Sequence, residues 1–185
     1  MGFVFGLTDD EEDEGNFWNK DFKNDLSLWD TSSVTNMAWM LTGADSFNSD
    51  LSSWNVENCT IMSGMFSNAS SFKSDLKGWN VDKVTDMDSM FDGAESFTSD
   101  ISHWKVVNCT HMGAMFQKAK SFKSDLSGWS IRNCTNMYAM FSRTSSFNRD
   151  TIKNWDLSSI KGSLVETVDE KQNYTREQCM SLYYP

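Results

Sequence analysis

Proline is all but missing from this chain. The one residue, Pro185, stands at its end, so no proline-rich linker divides the sequence into domains. Histidine is nearly as scarce. His103 and His111 are the only two, and neither keeps a carboxylate or cysteine at a fixed spacing, so general acid–base and metal chemistry built on imidazole has little to draw on. No apolar run approaches the ~20 residues a membrane helix needs, and the chain is not read as membrane-spanning. The segment Met1–Leu7 has neither a basic leader nor a small-residue cleavage site, so no complete signal peptide is expected there. No anchor is visible either, and the compartment stays open. Four cysteines show no zinc spacing and no pairing with histidine. No catalytic constellation emerges, and the chain is read as a non-enzyme that carries no cofactor.

What the sequence has in abundance is repetition. The phrase Ser-Phe-x-Ser-Asp-Leu-x-x-Trp recurs every 25 residues, headed by Phe22, Phe47, Phe72, Phe97, Phe122 and Phe147. Trp29, Trp54, Trp79, Trp104 and Trp129 follow seven residues later, and Trp155 after one inserted residue. A copy of this size cannot bury its own apolar face, so copies must stack and share one core. Aligned, they give fixed columns. Ten of the 12 methionines fall into two of them, beginning at Met37 and Met40. Cys59, Cys109 and Cys134 share a column with Val34 and Val84 and read as small buried hydrophobes; Cys179 lies outside the repeat.

This column pattern predicts a leucine-rich-repeat-like solenoid of about six 25-residue coils. The spacing Leu51-x-x-Trp54-x-Val56 suggests a short strand, for example over 53–57, and successive strands would form a parallel sheet on one face. On the other face Thr60-x-Met62-x-x-Met65-Phe66-x-x-Ala69 reads as a short helix or helical turn, with Thr60 as its N-cap. The implied organisation is an acidic N-terminal segment over 1–15, the repeats over 16–160, and a C-terminal cap or tail over 161–185. Two readings compete for the column Asp25, Asp50, Asp75, Asp100, Asp125 and Asp150: calcium ligation, or Asx turns in which each Asp accepts amides of its own loop. One Asp per repeat favours the turns.

The net charge of −10 is unevenly spread. Residues 9–14 are all acidic; residues 16–102 carry five Lys/Arg against thirteen Asp/Glu, and residues 103–153 carry eight against two. Stacked in order, the repeats run from acidic to basic, which can steer a charged partner. Asn58, Asn68, Asn108, Asn133 and Asn173 stand in Asn-x-Ser/Thr sequons; three of these arise from the repeat itself, so they say little about a secretory route.

The phrase Val34-Thr35-Asn36-Met37, with Met40, Ala44, Phe47-Asn48, Asp50-Leu51 and Trp54, resembles the bacterial surface-protein repeat of 25–26 residues. That repeat is of the mycoplasma and lactobacillus type, is also found in protists and algae, and belongs to the BspA-like branch of leucine-rich-repeat proteins. Leu41 replaces the family's Phe, which Phe66, Phe91, Phe116 and Phe141 keep. The resemblance implies a leucine-rich-repeat-like fold and a role in surface display, adhesion or protein binding, with a cell-surface or extracellular location.

The expected function is therefore a protein–protein interaction or adhesion module. The alternative is a structural accessory subunit or scaffold within a larger assembly, which could be peripheral to a membrane. The partner expected is a protein rather than a nucleic acid, and the oligomeric state is open. Solenoids bind through residues that vary over fixed core columns. Here those are Asn55, Asn80, Lys105 and Ser130, and beside them Glu57, Asp82, Val107 and Arg132. Phe3, Val4, Phe5, Tyr183 and Tyr184 are candidate terminal docking residues.

Overall fold

In the computed structural model, residues 20–160 are described. The acidic segment 1–15, the tail 161–185 and the terminal docking residues Phe3, Val4, Phe5, Tyr183 and Tyr184 lie outside them. Successive repeats do stack in a 25-residue register. Single parallel bridges join Asn36 to Ile61, Ile61 to Asp86, Asp86 to His111, and His111 to Asn136.

The leucine-rich-repeat-like solenoid of strands and helices is not what forms. Among the described residues the only regular element is one four-residue 3-10 turn, Arg149–Ile152, and the parallel pairing never extends beyond isolated bridges. The expected strand over 53–57 is replaced by consecutive turns: Trp54 N–H donates to Leu51 O at 3.1 Å, and Cys59 N–H to Val56 O at 2.9 Å. An apolar residue three after another, as in Leu51/Trp54 or Val56/Cys59, here marks the two ends of a β-turn.

The expected helix over 60–69 fails for a related reason. The amides of Met62, Gly64, Phe66 and Asn68 donate outward to the carbonyls of Asp86, Asp88, Met90 and Asp92 in the next repeat, at 2.6–2.9 Å. The intervening amides of Met65, Ser67 and Ala69 turn back three residues, to Met62, Gly64 and Phe66. An α-helix closes each amide on the residue four back; this segment spends alternate amides on its neighbour instead. Two columns in left-handed backbone make the alternation possible. One holds Trp39, Gly64, Ser89, Ala114 and Ala139, the other Gly43, Asn68, Gly93, Lys118 and Arg143, with φ between 52° and 72°. Left-handed residues at every fourth position break a helix within one turn.

Thr60 is consequently no N-cap. Its hydroxyl, like those of Thr85, Thr110 and Thr135, donates at 3.1 Å to the carbonyl of the preceding threonine in the column. The amides of Thr60, Thr85, Thr110 and Thr135 donate to the same oxygens at 2.8 Å.

Three aromatic ladders fill the core. The rings from Phe22 to Phe147 stack at centroid spacings of 5.6–6.2 Å. Phe66, Phe91, Phe116 and Phe141 stack at 5.6–5.8 Å, and within each repeat the two ladders touch, as Phe91 and Phe97 do at 3.9 Å. The tryptophan rings from Trp29 to Trp104 stack at 6.3–6.5 Å, and Trp129 stacks on Trp155 at 6.4 Å. A buried indole N–H needs an acceptor, and each finds one in the preceding repeat: Trp54, Trp79, Trp104, Trp129 and Trp155 donate to the carbonyls of Leu26, Leu51, Leu76, Ile101 and Leu126. The 3-10 turn Arg149–Ile152, capped by Asn148, absorbs the residue inserted in the last copy. Trp155 thus keeps its place 6.4 Å from Trp129.

Candidate functional site

The 25-residue register brings the eight candidate partner residues into two parallel columns. Asn55, Asn80, Lys105 and Ser130 are exposed, and so are Glu57 and Arg132; Asp82 and Val107 are half-buried. Between the columns run the buried Val56, Val81, Val106 and Ile131. The surface is therefore a series of hydrogen-bonded turns rather than the expected sheet. Asn55 and Asn80 each accept the amide two residues on, from Glu57 at 3.0 Å and Asp82 at 3.1 Å. Asn58, Asn108 and Asn133 stitch the repeats by donating to the carbonyls of Ser32, Asp82 and Val107 at 2.7–2.9 Å. The acidic end carries Glu57 and Asp82. Lys105 reaches back to Asp82 at 3.6 Å, so the two signs meet mid-stack, and Arg132 continues the basic side.

The aspartate column adopts the turn geometry. Asp25, Asp50, Asp75, Asp100 and Asp125 accept the amides of Ser27, Ser52, Lys77, Ser102 and Ser127 at 2.9–3.0 Å. A serine of the following repeat completes the arrangement. Ser49, Ser99 and Ser124 donate to Asp25, Asp75 and Asp100 while accepting the amides of Leu26, Leu76 and Ile101. Asp150 departs from this, because the 3-10 turn gives the accepting role to Asn148. The cysteine column is buried and carries no disulfide at Cys59, Cys109 or Cys134. Burial pushes all three thiols up, Cys134 to about 11, which keeps them protonated and unreactive.

Two features were missed by sequence reasoning. The first is a pair of carboxylates turned inward. Asp88 accepts the Gly113 amide and lies 3.5 Å from the Asn136 side-chain amide. Asp92 Oδ1 is buried without a hydrogen bond, its nearest cation being Lys118 Nζ at 3.9 Å. Burial raises both acids above the ordinary carboxylate value. The second is an apolar cavity of about 340 Å³ at the N-terminal mouth of the stack, lined by Trp29, Thr31, Val34, Met37 and Met40 with Asp30 and Asn36. The Trp39 ring leans over Gly64 in the next repeat and is half-exposed.

The carboxylates make stability depend on pH in two opposite senses. The serine amides hold Asp25, Asp50, Asp100, Asp125 and Asp156 below their ordinary value; what they contribute is present above the unfolded value and lost as pH falls through the lower, folded one. Asp88 and Asp92 are raised, so their contribution is present below the unfolded value and lost as pH rises through the folded one. The melting temperature is expected to climb as pH falls from 7 toward the unperturbed 3.8, then drop below it. A double variant, Asp88→Asn with Asp92→Asn, should flatten the climb and leave the acid drop; an unchanged climb in a thermal scan would refute the assignment.

The family described as "Mycoplasma protein of unknown function, DUF285" matches residues 14–98 and again residues 74–176. The chain belongs to the DUF285 family. Together the overlapping matches span the whole repeat region, as a repeat-based family pattern should when copies are interchangeable. DUF285 membership supports the mycoplasma-type repeat; it does not extend to the leucine-rich-repeat relationship, whose strands the fold lacks. No curated protein and no solved structure matches the chain. Among the described residues of this DUF285 protein, no helix is long and apolar enough to cross a membrane.

Proposed function

We propose that this DUF285 chain is a non-catalytic binding module that holds a protein partner along the two columns from Asn55 to Arg132. The observation that supports this is the contrast between columns. The core positions keep closely similar chemistry from copy to copy, while the two columns, exposed except at Asp82 and Val107, change from Asn55, Glu57, Asn80 and Asp82 to Lys105 and Arg132. The hydrogen-bonded turns beneath hold the face in one shape before a partner arrives, which lowers the ordering cost of association. A partner with the opposite charge gradient would be oriented along the stack. With a partner recovered from native extract, Lys105→Glu with Arg132→Glu should slow association by roughly ten-fold at low salt and reduce its salt dependence. Unchanged kinetics, with hydrogen exchange across residues 55–132 the same in free and bound protein, would favour the second reading. That reading is an accessory subunit or scaffold gripped at its ends. Its supporting observation is apolar exposure at the N-terminal mouth, where Leu28 is 94% and Trp29 39% exposed.

A further inference from the structure

The sign of the charge changes at the middle of the stack. Three ion pairs join described residues: Lys105 to Asp82 at 3.6 Å, Lys118 to Asp92 at 3.9 Å and Lys120 to Glu95 at 2.7 Å. All three cross one boundary, between the copy headed by Phe72 and the copy headed by Phe97, with three copies on either side. Residues 20–102 carry five Lys/Arg against thirteen Asp/Glu, and residues 103–160 carry eight against three. The candidate face is laid out evenly about this boundary. Glu57 and Asp82 stand on its acidic side, Val107 and Arg132 at the same steps on its basic side. Asp82 and Lys105 satisfy each other within the chain. Glu57 and Arg132, each one copy further out, are exposed and take part in none of the three ion pairs.

We infer, resting on the reading of the two columns as a binding surface, that the partner of this face is a second copy of the chain, lying antiparallel about a twofold axis at the mid-stack boundary. Such an axis, running across the columns, sets each column against itself and reverses the order of the copies. Glu57 then meets Arg132 of the second copy, and Arg132 meets its Glu57. One complementary pair is thus used twice, as an isologous interface requires. Asp82 faces Val107, Asn80 faces Lys105 and Asn55 faces Ser130, so no like charges meet within the eight residues. A parallel pair would set Glu57 against Asn55 and Arg132 against Ser130, and would gain no ion pair. One copy further out at each end, Asp30 would face Asp156, both exposed, and their repulsion confines the contact to the four central copies. At about 4.8 Å per copy, such a patch is smaller than a permanent interface. The dimer is accordingly weak, held by charge and sensitive to salt.

Sedimentation of the full chain over a range of concentrations tests this. At low salt a dimer should form as concentration rises, and added salt should dissociate it. Glu57→Arg alone and Arg132→Glu alone should each weaken dimerisation roughly ten-fold or more, because each sets like charges opposite one another. The chain carrying both changes should regain the dimer. So should an equimolar mixture of the two single variants, in which the two altered residues meet each other and the two native ones do the same. Both positions are exposed, so every variant should keep the wild-type melting temperature, which separates loss of the dimer from loss of the fold. A chain that stays monomeric at low salt overturns the proposal. So does a dimer that neither single change weakens, or a defect that neither the double variant nor the mixture repairs. The wider binding role fails separately. If the chain is monomeric yet Lys105→Glu with Arg132→Glu slows association with a partner from native extract, the face binds a different protein; if that association is unchanged as well, both readings fall.

Discussion

Replacing Phe91 with alanine is expected to remove about 3–5 kcal/mol of stability, the range for deleting a fully buried aromatic side chain. Phe91 touches more of the core than a residue in an ordinary layer. It stacks on Phe66 at 5.6 Å and Phe116 at 5.8 Å in the adjoining repeats, on Phe97 at 3.9 Å in its own, and meets Trp104 at 6.4 Å. Removing it opens a void that interrupts one ladder and undercuts two others. Phe22→Ala, at the half-buried end of a ladder, should cost clearly less. Urea unfolding of the two variants checks this. Equal losses would mean that the ladders do not couple the repeats.

The second large effect is expected at Gly64. A Cβ built there would lie 2.0 Å from Cε3 of Trp39, and the backbone sits at φ 62°. Gly64→Ala therefore incurs both left-handed strain, about 1–2 kcal/mol, and overpacking, about 1–3 kcal/mol. The two parts are separable. Trp39→Ala removes the obstructing ring but not the strain, so in the double variant the alanine at 64 should cost only about 1–2 kcal/mol. A cycle measured by denaturant unfolding should show strong non-additivity. Simple additivity would show that the ring yields freely and that strain alone accounts for the loss.

Much of this molecule was legible in its sequence. The column alignment identified the buried Trp, Phe, Met and Cys positions, the stacking register, and the Asx geometry from Asp25 to Asp125, because burial and turn chemistry are set by each repeat locally. The local path of the chain was not legible. Met62-x-x-Met65-Phe66-x-x-Ala69 fits a helical stripe, and the same i, i+3 spacing fits a run of β-turns. What decides between them is where alternate amides go, and that depends on the neighbouring repeat. The clue available was glycine and asparagine at Gly43, Gly64, Asn68 and Gly93, four apart within a copy or 25 apart between copies. Trp39, Ser89, Ala114 and Lys118 hid it by occupying the same left-handed columns without announcing them. Six of the eight residues of the candidate face are exposed, with Asp82 and Val107 half-buried, although the strand that was to present them does not form. Asp88 and Asp92 escaped notice because their columns hold no other acid, Ala38, Ser63, Gly113 and Tyr138 in one and Thr42, Ser67, Gln117 and Ser142 in the other, so nothing in a single copy signals a half-buried acid.

The backbone bonds between repeats also fix how the molecule bears load. Between the repeats of Ile61 and Asp86 six main-chain hydrogen bonds run along the stack, from Met62, Gly64, Phe66, Asn68, Thr85 and Ser96. A pull on the two ends draws directly along these bonds, one interface after another in series. No interface shields the next, so the chain yields in steps. Each step releases a 25-residue copy, about 80–90 Å of extended backbone. Under such a pull the stack would lengthen by one copy at a time while the remaining copies keep their shape.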